Sequence, residues 1–386
     1  MSTATTGTSR MPFVYDSALS DEALARLIAR HYPPGTDMKG NSLEQPLLYS
    51  ADVDGPARYM RVFANAESMA EDAGDVERQV AFMLESWNGA RRRPRHWNKD
   101  TVLNFTDYLP RILPTVEDGA RKQRLTELYW YHTGLTAHLF GEFDRAATAQ
   151  DKAAEFARAR GDIDSAVICE EQAAYERVCK ALIEDMGTSS NETQEACIEA
   201  LYCLRGYVPN LDELADSTAT NHLWAYGNGH VHRLLVHWLG GRTYKAQEDD
   251  LDALHMFAAT TEGACFADWK FLLAWIRPKA SLPQDPRTDA TIMRCNEIEE
   301  KKGVDVELHA LALYVHADLL MTLKMARVRA ENEALDLRCS RGANRVFLLI
   351  QEARRLNQVI LDLPDHGAVL LREYARQKIE ALSDMI

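Results

Sequence analysis

Proline constrains this chain most, because it fixes its own φ, lacks an amide hydrogen and breaks a helix when placed in the interior. Eight of the thirteen prolines lie at or before Pro114, and the chain then runs to Pro209, from Pro209 to Pro278 and from Pro286 to Pro364 without another. Those three stretches are free to form long helices joined by short turns. Strand signals do not compete with them. Asp54-Gly55 and Glu117-Asp118-Gly119 are turn-like, but alternating β-branched residues flank neither. The expected class is all-α.

Apolar periodicity and caps place the individual helices. Ser20-Asp-Glu followed by Leu24, Leu27 and Ile28 starts one, with Ser20 able to cap the orphan amides and the acids suited to the positive helix end. Pro33-Pro34-Gly35 ends it. A second helix is expected from Pro56 through Met69, and a third where Val80, Phe82, Met83 and Trp87 recur at helical spacing; a break follows at Arg91-Arg92-Arg93-Pro94-Arg95-His96, and a new start near Asp100. Near the other end, Val306 to Leu319 and Val346 to Ile360 are amphipathic. The expected organisation is a disordered start over 1–15, helical regions over 16–115 and 287–386, and a hairpin region over 116–277. The stretch from Pro278 to Pro286 is the boundary before the last of these.

One segment has specific spacing. From Glu127 to Arg160, Trp130 supplies a large aromatic, Gly134 a small residue four positions on, Gly141 a turn, and Phe143, Ala146 and Ala153 a second helix. This pattern resembles a tetratricopeptide repeat, a 34-residue helix–turn–helix unit. Small residues at 134 and 146 let two helices approach closely while aromatics fill the wedges beside them. Departures from the family pattern fall at Thr133, Ala137, Gln150 and Arg158. A weaker echo runs from His230 to about Ala258, repeating the turn, aromatic and alanine order at Gly240-Gly241, Tyr244 and Ala246. A lone hairpin cannot bury both its faces, so the resemblance implies stacked antiparallel helical hairpins forming a degenerate TPR-like α-solenoid. It also implies an inward, partner-binding face at Leu128, Tyr131, Leu135, His138 and Leu139, with Tyr131 and His138 leading.

Charge narrows the partner class. A formal net charge of −14 repels phosphate backbones and anionic lipid headgroups, so neither nucleic acid nor membrane is an expected partner, whereas a basic protein or peptide is steered in. No apolar run reaches the roughly 18 residues of a membrane span, and the segment Met1–Arg10 has no apolar core of a signal peptide. Seven scattered cysteines without a CxxC pair fit neither a disulfide framework nor a zinc ribbon, and read as reduced thiols of a cytoplasmic protein. No cofactor is expected.

Chemical motifs are sparse. His230 and His237, and His309 and His316, each lie seven apart on one helix face, too far for one helix to chelate an ion alone, though four histidines from two helices could converge near Asp252, Glu307 or Asp318. Asp252-Ala-Leu-His255 is only a partial analogue of the Glu-x-x-His di-iron motif. Arg26 to His31 and Arg91 to His96 have an arginine–histidine spacing that resembles the helical HEPN ribonucleases, and Pro94 interrupts the second. The basic run ending at Trp97 is a docking loop or a solvated one. The leading functional expectation is a non-enzymatic protein-binding scaffold, in a narrower form an immunity or antitoxin protein masking a basic partner. The competing class is a metal-dependent or nucleolytic helical enzyme built on the histidines.

Overall fold

A computed structural model describes residues 16–31, 55–91, 99–184, 220–239, 246–259, 266–276, 287–300, 306–324, 328, 340–363 and 367–385. Among these residues there are fourteen α-helices and no strand, so the chain is all-α. In order they are α1 (Asp21–His31), α2 (Gly55–Asp72), α3 (Val76–Arg91), α4 (Lys99–Ile112), α5 (Gly119–Leu139), α6 (Phe143–Ala159) and α7 (Ile163–Glu184). Then follow α8 (Thr220–Leu239), α9 (Ala246–Phe257), α10 (Ala267–Leu273), α11 (Arg287–Glu300), α12 (Val306–Leu319), α13 (Ser340–Leu361) and α14 (Val369–Ser383). The expected disordered start, the basic run from Arg92 to Trp97 and the Pro278–Pro286 boundary lie outside the described residues.

The chain divides into two compact units, Met1–His138, Glu142–Ala181 and Ser189–Gly229 forming the first, and Leu139–Gly141, Leu182–Thr188 and His230–Ile386 the second. In the first unit, Ser20 caps α1 as its sequence predicts, its hydroxyl accepting the Ala23 amide at 3.2 Å. Arg58 and Arg61 of α2 both reach Asp21, at 2.8 and 3.0 Å, tying α1 down at its start. Helices α2 and α3 form an antiparallel hairpin in which Phe63 meets Phe82 and the Tyr59 hydroxyl donates to Glu85 at 2.5 Å. Trp87, fully buried, stacks on Phe105 of α4 and touches Tyr129 of α5, so one aromatic cluster joins three helices.

Pro110 lies inside α4, against the expectation that prolines mark breaks. The reason is a substitute donor. Proline leaves the carbonyl of Thr106, four residues back, without its helical amide, and the Tyr129 hydroxyl donates to that oxygen at 3.2 Å instead.

On α2, Glu67 is half-buried, and its burial, with the charge of Glu71 one turn on, pushes its carboxyl up to about 7. The folded state then holds a proton that the unfolded state, with an ordinary value of 4.5, has already released. Between those two values stability therefore falls as pH rises, and above them the full penalty remains. Glu67→Gln is expected to abolish this contribution and to stabilise the protein at pH 8 by about 1–2 kcal/mol once solvent screening is allowed for. Denaturant midpoints of wild type and variant at pH 5 and pH 8 check this. The two should nearly coincide at pH 5 and separate at pH 8, and a constant difference would show that Glu67 does not titrate in this range.

In the second unit, α11 and α12 pack together, with Cys295 fully buried and its thiol pushed up to about 12 by desolvation and by Glu299. Cys169, Cys179 and Cys295 are buried and in no disulfide, and at that value Cys295 is inert as a nucleophile. Helix α12 is buried along nearly its whole length between α13 and α14 and passes at its end into a π-helical turn, Leu320–Lys324. Among the described residues no helix is long and apolar enough to cross a membrane.

Candidate partner-binding face

The face expected from the repeat resemblance lies on α5, so its geometry begins with what sets that helix. Asp118 caps it, its carboxylate accepting the amides of Ala120 and Arg121 at 3.0 Å, and the Arg121 amide bond foremost holds that carboxyl below its ordinary range. The helix runs to Leu139 and reverses at Gly141, whose φ of +72° is a left-handed conformation that strains any L side chain. Helix α6 returns antiparallel to α5. Where the two cross, a Cβ on Gly134 would lie 2.6 Å from Gln150 Nε2 and 2.9 Å from its Cγ. Gln150 is fully buried there, and its Nε2 donates to the Tyr131 carbonyl at 3.3 Å. The two positions are complementary: a side chain that large fits only because the facing residue has none.

Helix α7 turns back antiparallel to α6 and so runs parallel to α5. A ladder of ion pairs, Arg158–Glu170, Asp151–Arg177 and Asp144–Lys180, follows the α6–α7 seam. These pairs are exposed and add little to stability. The base of the three helices is different. Glu127, only 3% exposed, takes bonds from Arg160 at 2.6 and 2.9 Å and from Arg124, while Asp162 receives Arg160 at 3.1 Å. A buried carboxylate requires such partners, and here they come from the two ends of the hairpin.

The named residues fall at different depths. Leu128 is buried in the core of the first unit with Leu125 and Tyr129. Tyr131, Leu135 and His138, at i, i+4 and i+7, form a half-buried stripe, and Leu139 is half-buried as well. Tyr131 and its neighbour Trp130 pack over a layer of small residues, Ala153, Ala154, Ala157, Ala166 and Cys169, and Lys152 lies 4.0 Å above the Trp130 ring. His138 packs between the rings of Phe143 and Tyr175, with its Nδ1 2.8 Å from Glu176 Oε2.

Glu176 is the functional candidate that sequence reading misses. It is fully buried on α7, its second oxygen accepting Gln172 Nε2 at 2.7 Å. Its signal is its position: Cys169, Ala173 and Glu176 follow one another at helical spacing on the buried stripe, so a carboxylate stands where an apolar residue belongs. The contact between imidazole and carboxylate fixes the orientation of the His138 ring at the end of the Tyr131 stripe.

Of the other predicted histidines, two lie beside carboxylates of neighbouring helices. His230 on α8 is bound to Asp250 of α9 at 2.7 Å, and His316 on α12 to Glu299 of α11 at 3.2 Å. His309 is half-buried, the side chain of His237 lies outside the described residues, and Asp252 and His255 are both exposed on α9. Among the described residues no group of three or more His, Cys, Asp or Glu side chains could hold a metal ion. Of the two arginine–histidine spacings, Arg26 is paired with Glu22 and Arg91 is buried against Asn88, while His96 lies outside the described residues. Compared with known proteins, the chain matches no family model, no curated protein and no solved structure.

Proposed function

We propose that this chain is a protein-binding scaffold, a degenerate α-solenoid of tetratricopeptide-like hairpins whose α5 stripe receives a basic segment of a cytoplasmic partner. The observation that carries the reading is the stripe itself. On α5, Tyr131, Leu135 and His138 keep partial exposure along one line between the buried residues 132–134 and 136–137, His138 with 15% of its side chain exposed. An aromatic ring, an aliphatic side chain and an oriented imidazole in a row suit recognition of an extended or helical segment. The close α5–α6 contact at Gly134, followed by α7 parallel to α5, supports a stacked-hairpin arrangement. The net charge of −14 supports a basic partner, and the narrower form of the reading is an immunity-type protein that masks one.

The test is affinity capture from the source cell with wild type and Tyr131→Ala, followed by surface plasmon resonance on the captured partner. Tyr131→Ala is expected to weaken binding by about 2 kcal/mol, roughly thirtyfold in Kd, through faster dissociation. Raising the salt should slow association, because the Debye length shrinks from about 10 Å at 0.1 M to about 3 Å at 1 M. A partner indifferent to both changes would remove α5 as the binding face.

A further inference from the structure

Helix α13 is longer than the helix it pairs with. It has 22 residues against 15 in α14, and the two pack together across the short connection 362–368, so they run antiparallel from it. At 1.5 Å per residue, the first turns of α13 reach about 10 Å past the end of α14. The packed face of α13 is continuous from Val346 and Leu349, both half-buried, through Ile350, Ala353, Leu356 and Ile360. Phe347 and Leu348 are not on it. They stand where α13 passes the end of α14, 46% and 64% exposed, on the face where a surface helix ordinarily carries polar residues. One turn further along that outward face is Gln351, and two turns along are Arg354 and Arg355, both exposed.

Arg355 donates to both oxygens of Glu352, at 2.7 and 2.9 Å. Arg354 has no ion pair or hydrogen bond among the described residues, in a chain that carries 58 acids against 44 lysines and arginines. Helix α13 is itself the exception to that balance, with four arginines and a single acid, Glu352. Exposed apolar side chains rimmed by polar ones mark interaction surfaces, and a helix lays its apolar positions on such a face at i, i+3, i+4 and i+7. Two turns from that apolar pair, the unmatched guanidinium selects a carboxylate. The net charge of −14 does not prevent this, because charges beyond the Debye length of about 8 Å are largely screened at physiological salt, whereas Arg354 meets its partner at contact. That charge does disfavour a second copy of the chain or an anionic lipid surface, each of which brings many negative charges, while a short segment brings few. We propose that the outward face of α13 docks a short acidic amphipathic segment of another protein, its apolar side chains on Phe347 and Leu348 and its carboxylates on Arg354. The face lies in the second unit and selects the opposite charge from the α5 stripe, so it stands whether or not the scaffold reading holds.

The probe is a fluorescein-labelled amphipathic peptide of about five helical turns, with leucines along one face and glutamates beside them. It is titrated with the full chain at physiological salt and followed by anisotropy, against the same peptide with glutamine in place of glutamate. Saturable binding is expected for both, tighter for the glutamate peptide by several-fold. Phe347→Ser with Leu348→Ser should weaken both peptides by about tenfold or more, and Arg354→Glu should weaken the glutamate peptide alone. All three side chains are exposed, so circular dichroism and the melting temperature should not move; should the double serine variant unfold, Arg354→Glu carries the test. Two further measurements address the other occupants: flotation of the chain with phosphatidylserine vesicles, and sedimentation at increasing chain concentration. The proposal is overturned if the glutamate peptide does not bind, if the glutamine peptide binds equally well, or if neither variant weakens binding. Vesicle binding or self-association that disappears with Phe347→Ser and Leu348→Ser would overturn it too, assigning the face to a membrane or to a second copy.

Discussion

Replacing Gly134 with leucine is expected to cost the first unit about 2 kcal/mol, although glycine is ordinarily a poor helix residue. In an exposed helix interior the exchange would gain about 0.8–1 kcal/mol from backbone propensity alone. Here the new Cβ meets not only the Gln150 amide at 2.6 Å but also its Cδ and Cγ at 2.8 and 2.9 Å. Turning the amide away does not relieve a clash with Cγ, so Gln150 must change rotamer or the helices must part. Its bond to the Tyr131 carbonyl is lost either way, a loss of about 1 kcal/mol. The remaining leucine atoms overpack a seam otherwise lined by Ala146, Ala149 and Ala153, for about 1–3 kcal/mol more. For a unit of this size the sum lowers the melting transition by roughly 4–8 °C. Gly134→Ala should show a smaller loss of the same sign, and adding Gln150→Ala to Gly134→Leu should recover most of it. Thermal unfolding of the three variants decides the matter. An unshifted transition in Gly134→Leu, or no recovery in the double variant, would falsify the packing described for α5 and α6.

The same pair separates what spacing dictates from what only a facing helix decides. Gly134, Gly141 and Phe143 are legible in the sequence because a close approach, a left-handed turn and a helix start at these offsets suit little but an antiparallel hairpin. Gln150 departs from the repeat pattern, and in isolation it reads as a flaw. It is instead the residue that fills the space Gly134 leaves. The start of α1, capped by the Ser20 hydroxyl, is legible for the same local reason as the turn, whereas Asp118, read only as part of a turn, caps α5. The extent of α5, which begins eight residues before the repeat pattern, is not, because Gly119–Thr126 carries little apolar periodicity.

Tertiary compensation is invisible to a local reading, and Pro110 shows it most directly. Nothing near residue 110 signals that a tyrosine nineteen positions later will donate to the orphaned carbonyl. The candidate site divides along the same line. Tyr131, Leu135 and His138 share a face by arithmetic, whereas the depth of Leu128 and the pairing of His138 with Glu176 depend on which helices cover α5. Charged residues on apolar stripes carry a usable warning, since Glu176 and Asp250 both occupy core positions of their helices. In α9 the exposed Asp252 stands beside the histidine motif, but it is Asp250, two residues earlier, that enters the core.

Asp250 is where that warning has its largest consequence. It is fully buried, followed by Leu254 and Phe257 on the core face of α9, and its Oδ1 accepts both His230 Nδ1 at 2.7 Å and Arg233 Nε at 3.0 Å. Arg233 is only 5% exposed. A guanidinium cannot shed its charge, so the energy of holding it there depends on the carboxylate beside it. Asp250→Asn keeps shape and volume and removes only the negative charge. It is expected to destabilise the second unit by about 3–5 kcal/mol, since the buried Arg233 and His230 then lose the negative charge that accepts their bonds. Removing both charges should be far milder: Arg233→Met with Asp250→Leu replaces the pair by apolar volume, and such exchanges are often neutral. The decisive quantity is the coupling between the two positions in a double-mutant cycle read by chemical denaturation. If Asp250→Asn costs no more than the ~0.5 kcal/mol of an ordinary surface substitution, Arg233 is not held by this carboxylate and the α8–α9 contact rests on packing alone.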